Sequence, residues 1–161
     1  YSLWGPFATT LFFFIMFIGG CAGSTSCGIK IFRFQVVYEA VAVQVKRLIH
    51  PNGVFVPHYN GKPIQDSVTA SVMSFMFLFA LTFGVAAMAL TLMGLDLVTA
   101  VSSAGTAIAN VGPGLGPVVG PSGNFSTLPD LAKWTLSFTM LIGRLEIFTV
   151  LVILTPTFWR G

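Results

Sequence analysis

The sequence predicts an all-α membrane protein: a helix broken by a run of small residues, a basic connector, then a helix, a short re-entrant helix, a glycine loop and a returning helix. Three observations predict it. Only 8 % of the 161 residues are charged and 55 % are apolar, with a mean hydropathy of +0.86; soluble domains carry about 25 % charged residues. Charge-free windows cover residues 1–29, 67–95 and 97–129, and 134–159 holds only Arg144 and Glu146. About 20 apolar residues cross a bilayer as a helix, so each window can enter or span it. Finally, two glycine-rich stretches, GGCAGSTSCG (19–28) and VGPGLG (111–116), interrupt these windows.

Residues 3–18 read as a helix, with Pro6 suited to a first turn and Trp4 to a membrane interface. Such a helix rises ~24 Å, short of the ~30 Å hydrocarbon core, so the small-residue run begins inside the membrane. Residues 29–49 resume as a helix, charged at Lys30, Arg33, Lys46 and Arg47. HPNGVFVPHYNGKP (50–63) has turn chemistry and predicts a small hairpin around VFVPHY, with His50 and His58 as solvated loop residues. Residues 67–93 form the cleanest spanning helix. Asp96 suits the N-cap of a helix over 96–109, whose small residues pack against protein better than lipid. At ~21 Å that helix is too short to cross, and VGPGLGP stops it. A polar loop follows over 117–129, and 130–159 returns.

Five of the eight Lys/Arg fall between residues 30 and 62, which places that segment on the cytoplasmic side. Arg160 belongs there too, so an even number of crossings separates the two. No aromatic platform interleaves the basic segment, which argues against nucleic acid. Cys21 and Cys27 have no CxxC spacing and no neighbouring His, so a zinc site is not expected. No paired carboxylates or nucleophile–base set lies in a membrane window, so an enzyme is not expected either. The opening YSLWGP lacks a basic n-region, which argues against a signal peptide and suggests part of a longer chain.

Three features carry candidate chemistry. In NVGPGLG (Asn110–Gly116), glycines present carbonyls unobstructed, as a cation filter needs, and the preceding helix aims its partly negative end there. A tight extracellular turn fits the same residues, and both readings stay open on the sequence. A phosphate loop is disfavoured, because no Lys-Ser/Thr follows. GGCAGSTSCG lies in a segment that crosses the membrane, and a crossing helix broken at depth is a gate or transporter element. Arg144 lies mid-window, where an arginine is costly and faces a pore or a partner. Glu146, two residues on, faces elsewhere on a helix, although an Arg–Glu pair between helices is the structural alternative.

IGGCAGSTSCGIK, NVGPGLG and MLIGRLEIFTVLVILTPTFWR, in this order, resemble the Trk/Ktr superfamily of potassium transporters. The likeness extends over essentially the whole chain. It implies a C-terminal fragment of a fold with four helix–pore-helix–helix repeats around one pore, as in potassium channels. Residues 1–49 would be the inner helix of the third repeat, interrupted at 19–28, and 50–66 a cytoplasmic connector. Residues 67–161 would be the fourth repeat: outer helix 67–93, pore helix 96–109, filter 110–116, external loop 117–129, inner helix 130–159.

The function implied by the resemblance is potassium uptake across the bacterial inner membrane. Asn110, Val111 and Gly112 would bind the ion, with the Val111 and Gly112 carbonyls facing it. The gate would comprise Gly19, Gly20, Cys21, Ala22, Gly23, Ser24, Thr25, Ser26, Cys27 and Gly28 together with Arg144, whose guanidinium can donate to loop carbonyls. Potassium is the transported ligand, and no further cofactor is implied. The implied partners are a second copy of the chain, membrane lipid and a cytoplasmic ring of TrkA-like nucleotide-binding subunits beneath 30–62 and Arg160. Two departures stand out. Cys27 replaces a glycine of many relatives, which stiffens the loop slightly. The filter reads VGPG where potassium channels have VGYG, so fewer well-formed ion sites are expected. The competing reading is a secondary transporter of another substrate, using the broken helices as its binding site.

Overall fold

The computed structural model of the chain describes residues 4–145 and, beyond them, positions 150, 152, 155 and 159. Helix α1 spans Pro6–Ile15 with Pro6 in its first turn, where the missing N–H is not needed. It ends earlier than residue 18. Phe17 and Ile18 donate to the carbonyls three residues back, and Ile18 then forms a parallel bridge with Ile29. That bridge draws the last expected turn out of the helix.

Helix α2 (Ile31–Ile49) turns Val36 and Val43 inward, and Lys46 and Arg47 occupy its last turn, where cations suit the helix dipole. Arg47 Nη2 donates to the Phe55 carbonyl at 2.9 Å and ties the connector back to the helix. The expected hairpin forms slightly later than VFVPHY. Strand β1 (His58–Tyr59) pairs antiparallel with β2 (Lys62–Pro63), His58 opposite Pro63 and Tyr59 opposite Lys62. Its turn residues, Asn60 and Gly61, have φ of 50° and 77°, the left-handed pair that Asn-Gly accommodates best.

Helix α3 (Asp66–Leu92) has 27 residues, ~40 Å. Among the described residues it is the one helix long and apolar enough to cross a membrane. Helix α4 (Leu97–Ala109) starts at Asp96, whose Oδ2 accepts the Thr99 N–H at 3.1 Å. Hydrogen bonds from the Thr99 hydroxyl and amide hold the Asp96 carboxyl below the usual carboxylate range. Helix α5 is a single turn, Gly116–Val119, and α6 spans Asp130–Arg144.

Helix α4 packs against both α3 and α6, and ten of its thirteen residues are buried. Ala100, Ala104 and Ala107 let the flanking helices approach closely, the small-residue mode of helix packing in membranes. Leu90 of α3, Ala132 and Leu136 of α6, Val119 and Leu128 complete this core. The 117–129 segment is therefore more than a polar external loop: Val119 and Leu128 anchor it to the core. The described part of the expected 130–159 helix ends at Arg144, with helical backbone again at 150, 152 and 159. Glu146 and Arg160 lie outside the described residues.

Candidate functional site

The run of small residues folds as a loop closed at its neck. Gly19 N–H donates to Ile29 O at 2.9 Å, Ile29 N–H to Phe17 O at 2.8 Å, and Ile31 N–H to Gly20 O at 3.1 Å. Ile29 is buried with Phe75 and Phe79 of α3 and Ile108 of α4, which seats the neck on the helix layer. Three of the four glycines serve close approach. A Cβ on Gly19 would lie 2.5 Å from the Cys27 carbonyl oxygen, and one on Gly20 2.6 Å from Ser26 Oγ. Gly28 holds φ +81° with Phe17 O 3.0 Å from its Cβ position. Around Gly23, by contrast, the space is open. The hydroxyls satisfy the loop's own backbone: Ser26 Oγ accepts from Gly20 N–H at 2.7 Å and Ser24 Oγ from Ser26 N–H at 3.1 Å. The loop thereby supplies partners for part of its own backbone.

Arg144, the last residue of α6, reaches this loop. Its Nη1 donates to Thr25 O at 2.7 Å and approaches Cys27 Sγ at 3.5 Å, a contact a glycine at that position could not make. Arg144 and the loop line a cleft of about 110 Å³ together with Lys30, Arg33 and Phe75. Across that cleft the Arg33 guanidinium sits 3.6 Å from the Phe75 ring centroid, a cation–π contact.

The second glycine stretch begins as a helix C-cap. Asn110 takes the left-handed conformation (φ 53°, ψ 43°). Its N–H donates to Ala107 O, and Val111 N–H to Thr106 O, both at 3.1 Å. This is a Schellman closure, with asparagine where glycine is commonest. Asn110 Nδ2 donates to Met140 O at 3.0 Å. Gly112, at φ +113°, donates its N–H to Thr106 Oγ1 at 2.9 Å. Val111 and Gly112 are exposed, while Gly114 is buried and donates to Val119 O at 2.7 Å.

The last five residues of α6, 140–144, thus carry the contacts to both features. Met140 receives Asn110, and Arg144 holds the 19–28 loop. Gly143 packs so closely on α4 that a Cβ there would collide with the Ile108 carbonyl.

The TrkH family model, described as a cation transport protein, matches residues 1–159. The chain belongs to the TrkH family. It is 57 % identical to the Trk system potassium uptake protein TrkI of Halomonas elongata, over 99 % of this chain and 32 % of that protein. Against the potassium uptake protein TrkH of Vibrio parahaemolyticus it is 42 % identical, over 98 % of this chain and 32 % of that one. The crystal structure of the potassium transporter TrkH from Vibrio parahaemolyticus superposes with a TM-score of 0.86 at 40 % identity, covering 97 % of this chain and 33 % of that one. This TrkH-family chain therefore spans about a third of the length of these relatives.

Sequence reasoning singled out the 19–28 loop, Asn110–Gly112 and Arg144, and the fold gathers them around α4 and the end of α6. It missed Thr106, Met140 and Gly143. Only Gly143 carries a local signal, since a glycine inside a helix costs about 1 kcal/mol relative to alanine and marks a close approach. Thr106 acts through a side-chain hydroxyl and Met140 through a backbone carbonyl, and neither has a pattern in the sequence.

Proposed function

We propose that the full-length protein containing this chain takes up potassium across the bacterial inner membrane through a gated, channel-like pore. In this reading α3, α4 and α6 are the outer helix, pore helix and inner helix of a fourth repeat, and α1 and α2 are the halves of the third repeat's inner helix. Asn110, Val111 and Gly112 contribute one quarter of the filter through backbone carbonyls, and the dipole of α4 points its partly negative end toward them. The 19–28 loop with Arg144 is the gate. A second copy of the chain and a TrkA-like cytoplasmic ring are the partners; the exposed Tyr38, Val41, Val45 and Leu48 of α2 offer an uncovered face for such contacts.

The observation that carries the reading is the Arg144–Thr25 hydrogen bond, which joins residues 119 apart and ties a mid-window charge to the break in the helix. A fixed positive charge and a pinned loop both oppose cation passage, and both are relieved if the loop withdraws. The filter is tested with Gly112→Ser in the full-length protein reconstituted in liposomes. Gly112 sits at φ +113°, which side-chain-bearing residues rarely adopt. The potassium-to-sodium uptake ratio is expected to fall about fivefold or more with membrane insertion retained. An unchanged ratio removes Gly112 from the filter.

A further inference from the structure

We propose that Thr106 is the positioning residue of this filter segment: its carbonyl and hydroxyl hold two successive peptide N–H groups and so turn the Asn110 and Val111 carbonyls the same way, toward the ion path. The inference rests on the filter reading above. Thr106 is 2 % exposed, on the buried face of α4. Val111 N–H donates to Thr106 O at 3.1 Å, and Gly112 N–H to Thr106 Oγ1 at 2.9 Å. No described peptide is cis. In a planar trans peptide the C=O points opposite to the N–H of the following residue. Two N–H groups that converge on one residue therefore send their two carbonyls, Asn110 O and Val111 O, away from it in parallel.

Asn110 and Gly112 have positive φ, at 53° and 113°, and Val111 between them does not. The two peptides are joined through Val111, so it is the convergent donation of the Val111 and Gly112 N–H groups to Thr106 that sets their carbonyls side by side. The next peptide joins Gly112 to Pro113, which has no N–H, so Thr106 cannot orient the Gly112 carbonyl in this manner. The aligned carbonyls are accordingly those of Asn110 and Val111, one residue earlier than the pair the family resemblance implied.

Thr106→Val keeps the shape and removes the acceptor, leaving the Gly112 N–H free to rotate and carry the Val111 carbonyl with it. In the full-length protein in liposomes, the potassium-to-sodium uptake ratio should fall about five- to tenfold, the worth of one lost and unreplaced hydrogen bond. Thr106→Ser should restore it. Because valine in a close-packed helix can disturb folding, Thr106→Ser is also compared with Thr106→Cys, which is similar in size but a weak acceptor. The cysteine variant should be at least about threefold less selective than the serine one. A ratio unchanged in Thr106→Val, or equal in the serine and cysteine variants, overturns the proposal. Gly112→Ser, measured alongside, separates the two failures: if it lowers the ratio while the Thr106 variants do not, the filter reading stands and the Thr106 role falls. If none of them moves the ratio, both fall.

Discussion

If Arg144 and the 19–28 loop form the proposed gate, replacing Arg144 with alanine removes two barriers to a cation at once, and their sizes follow from the geometry. The Nη1 donation to Thr25 O, at 2.7 Å, is a charge-assisted hydrogen bond that pins the loop. Such bonds contribute about 1.5–3 kcal/mol, and because the Arg144 side chain is exposed in this segment the lower end applies. The charge itself repels a potassium ion by ~2 kcal/mol at a separation of ~8 Å and an effective dielectric of ~20. Together the two effects set a ceiling of ~3.5 kcal/mol, roughly 300-fold in rate. Losing the loop contact alone corresponds to about tenfold. Rubidium flux through the full-length protein in liposomes should therefore rise between these bounds in Arg144→Ala. Arg144→Lys keeps the charge but not the planar fork of donors, so it should fall between wild type and alanine. Shortening the loop within Ala22–Ser26 should also raise flux, and combining it with Arg144→Ala should add little, since both remove one obstruction. Lower flux in Arg144→Ala would refute the barrier assignment. Full additivity of the double variant would make loop and arginine two separate constrictions.

Two further expectations concern the loop neck and the topology. Gly19→Ala forces a Cβ to within 2.5 Å of Cys27 O, whereas Gly23→Ala meets nothing within 4 Å; the first should lower the melting temperature in detergent, at a cost of about 1–3 kcal/mol, and the second should leave it in place. Equal effects of the two would mean the neck hydrogen bonds do not define the loop. For topology, single cysteines at Asn60 and Ser122, in a chain lacking Cys21 and Cys27, should react with an impermeant thiol reagent from opposite sides of the membrane. Labelling of both from one side would rule out a re-entrant 96–116.

The features that local chemistry determines were legible in the sequence. Charge-free windows delimit α3, because a span is a matter of length and solvation. Asp96 announces the start of α4 through its side-chain cap, and Asn60-Gly61 announces its own turn through the one backbone geometry it favours. The small-residue run and the lone Arg144 stood out because each is costly in lipid unless something pairs with it.

What the residues pair with was decided only by the tertiary structure. Ile18 leaves its helix for a partner eleven residues away, Val119 turns a polar-looking loop into part of the core, and Arg144 finds a carbonyl 119 residues distant. Thr106, an ordinary helix residue by sequence, holds two amides of the turn beyond it. Each hydrogen-bonded contact among these has a backbone N–H or C=O on at least one side, a group that every residue but proline carries in full, so side-chain periodicity does not name the partner. The Arg144 bond and the Val119 packing exist only once α6 and the 117–129 segment have closed on the rest of the fold, and the Ile18 and Thr106 bonds only once the chain has turned back on itself.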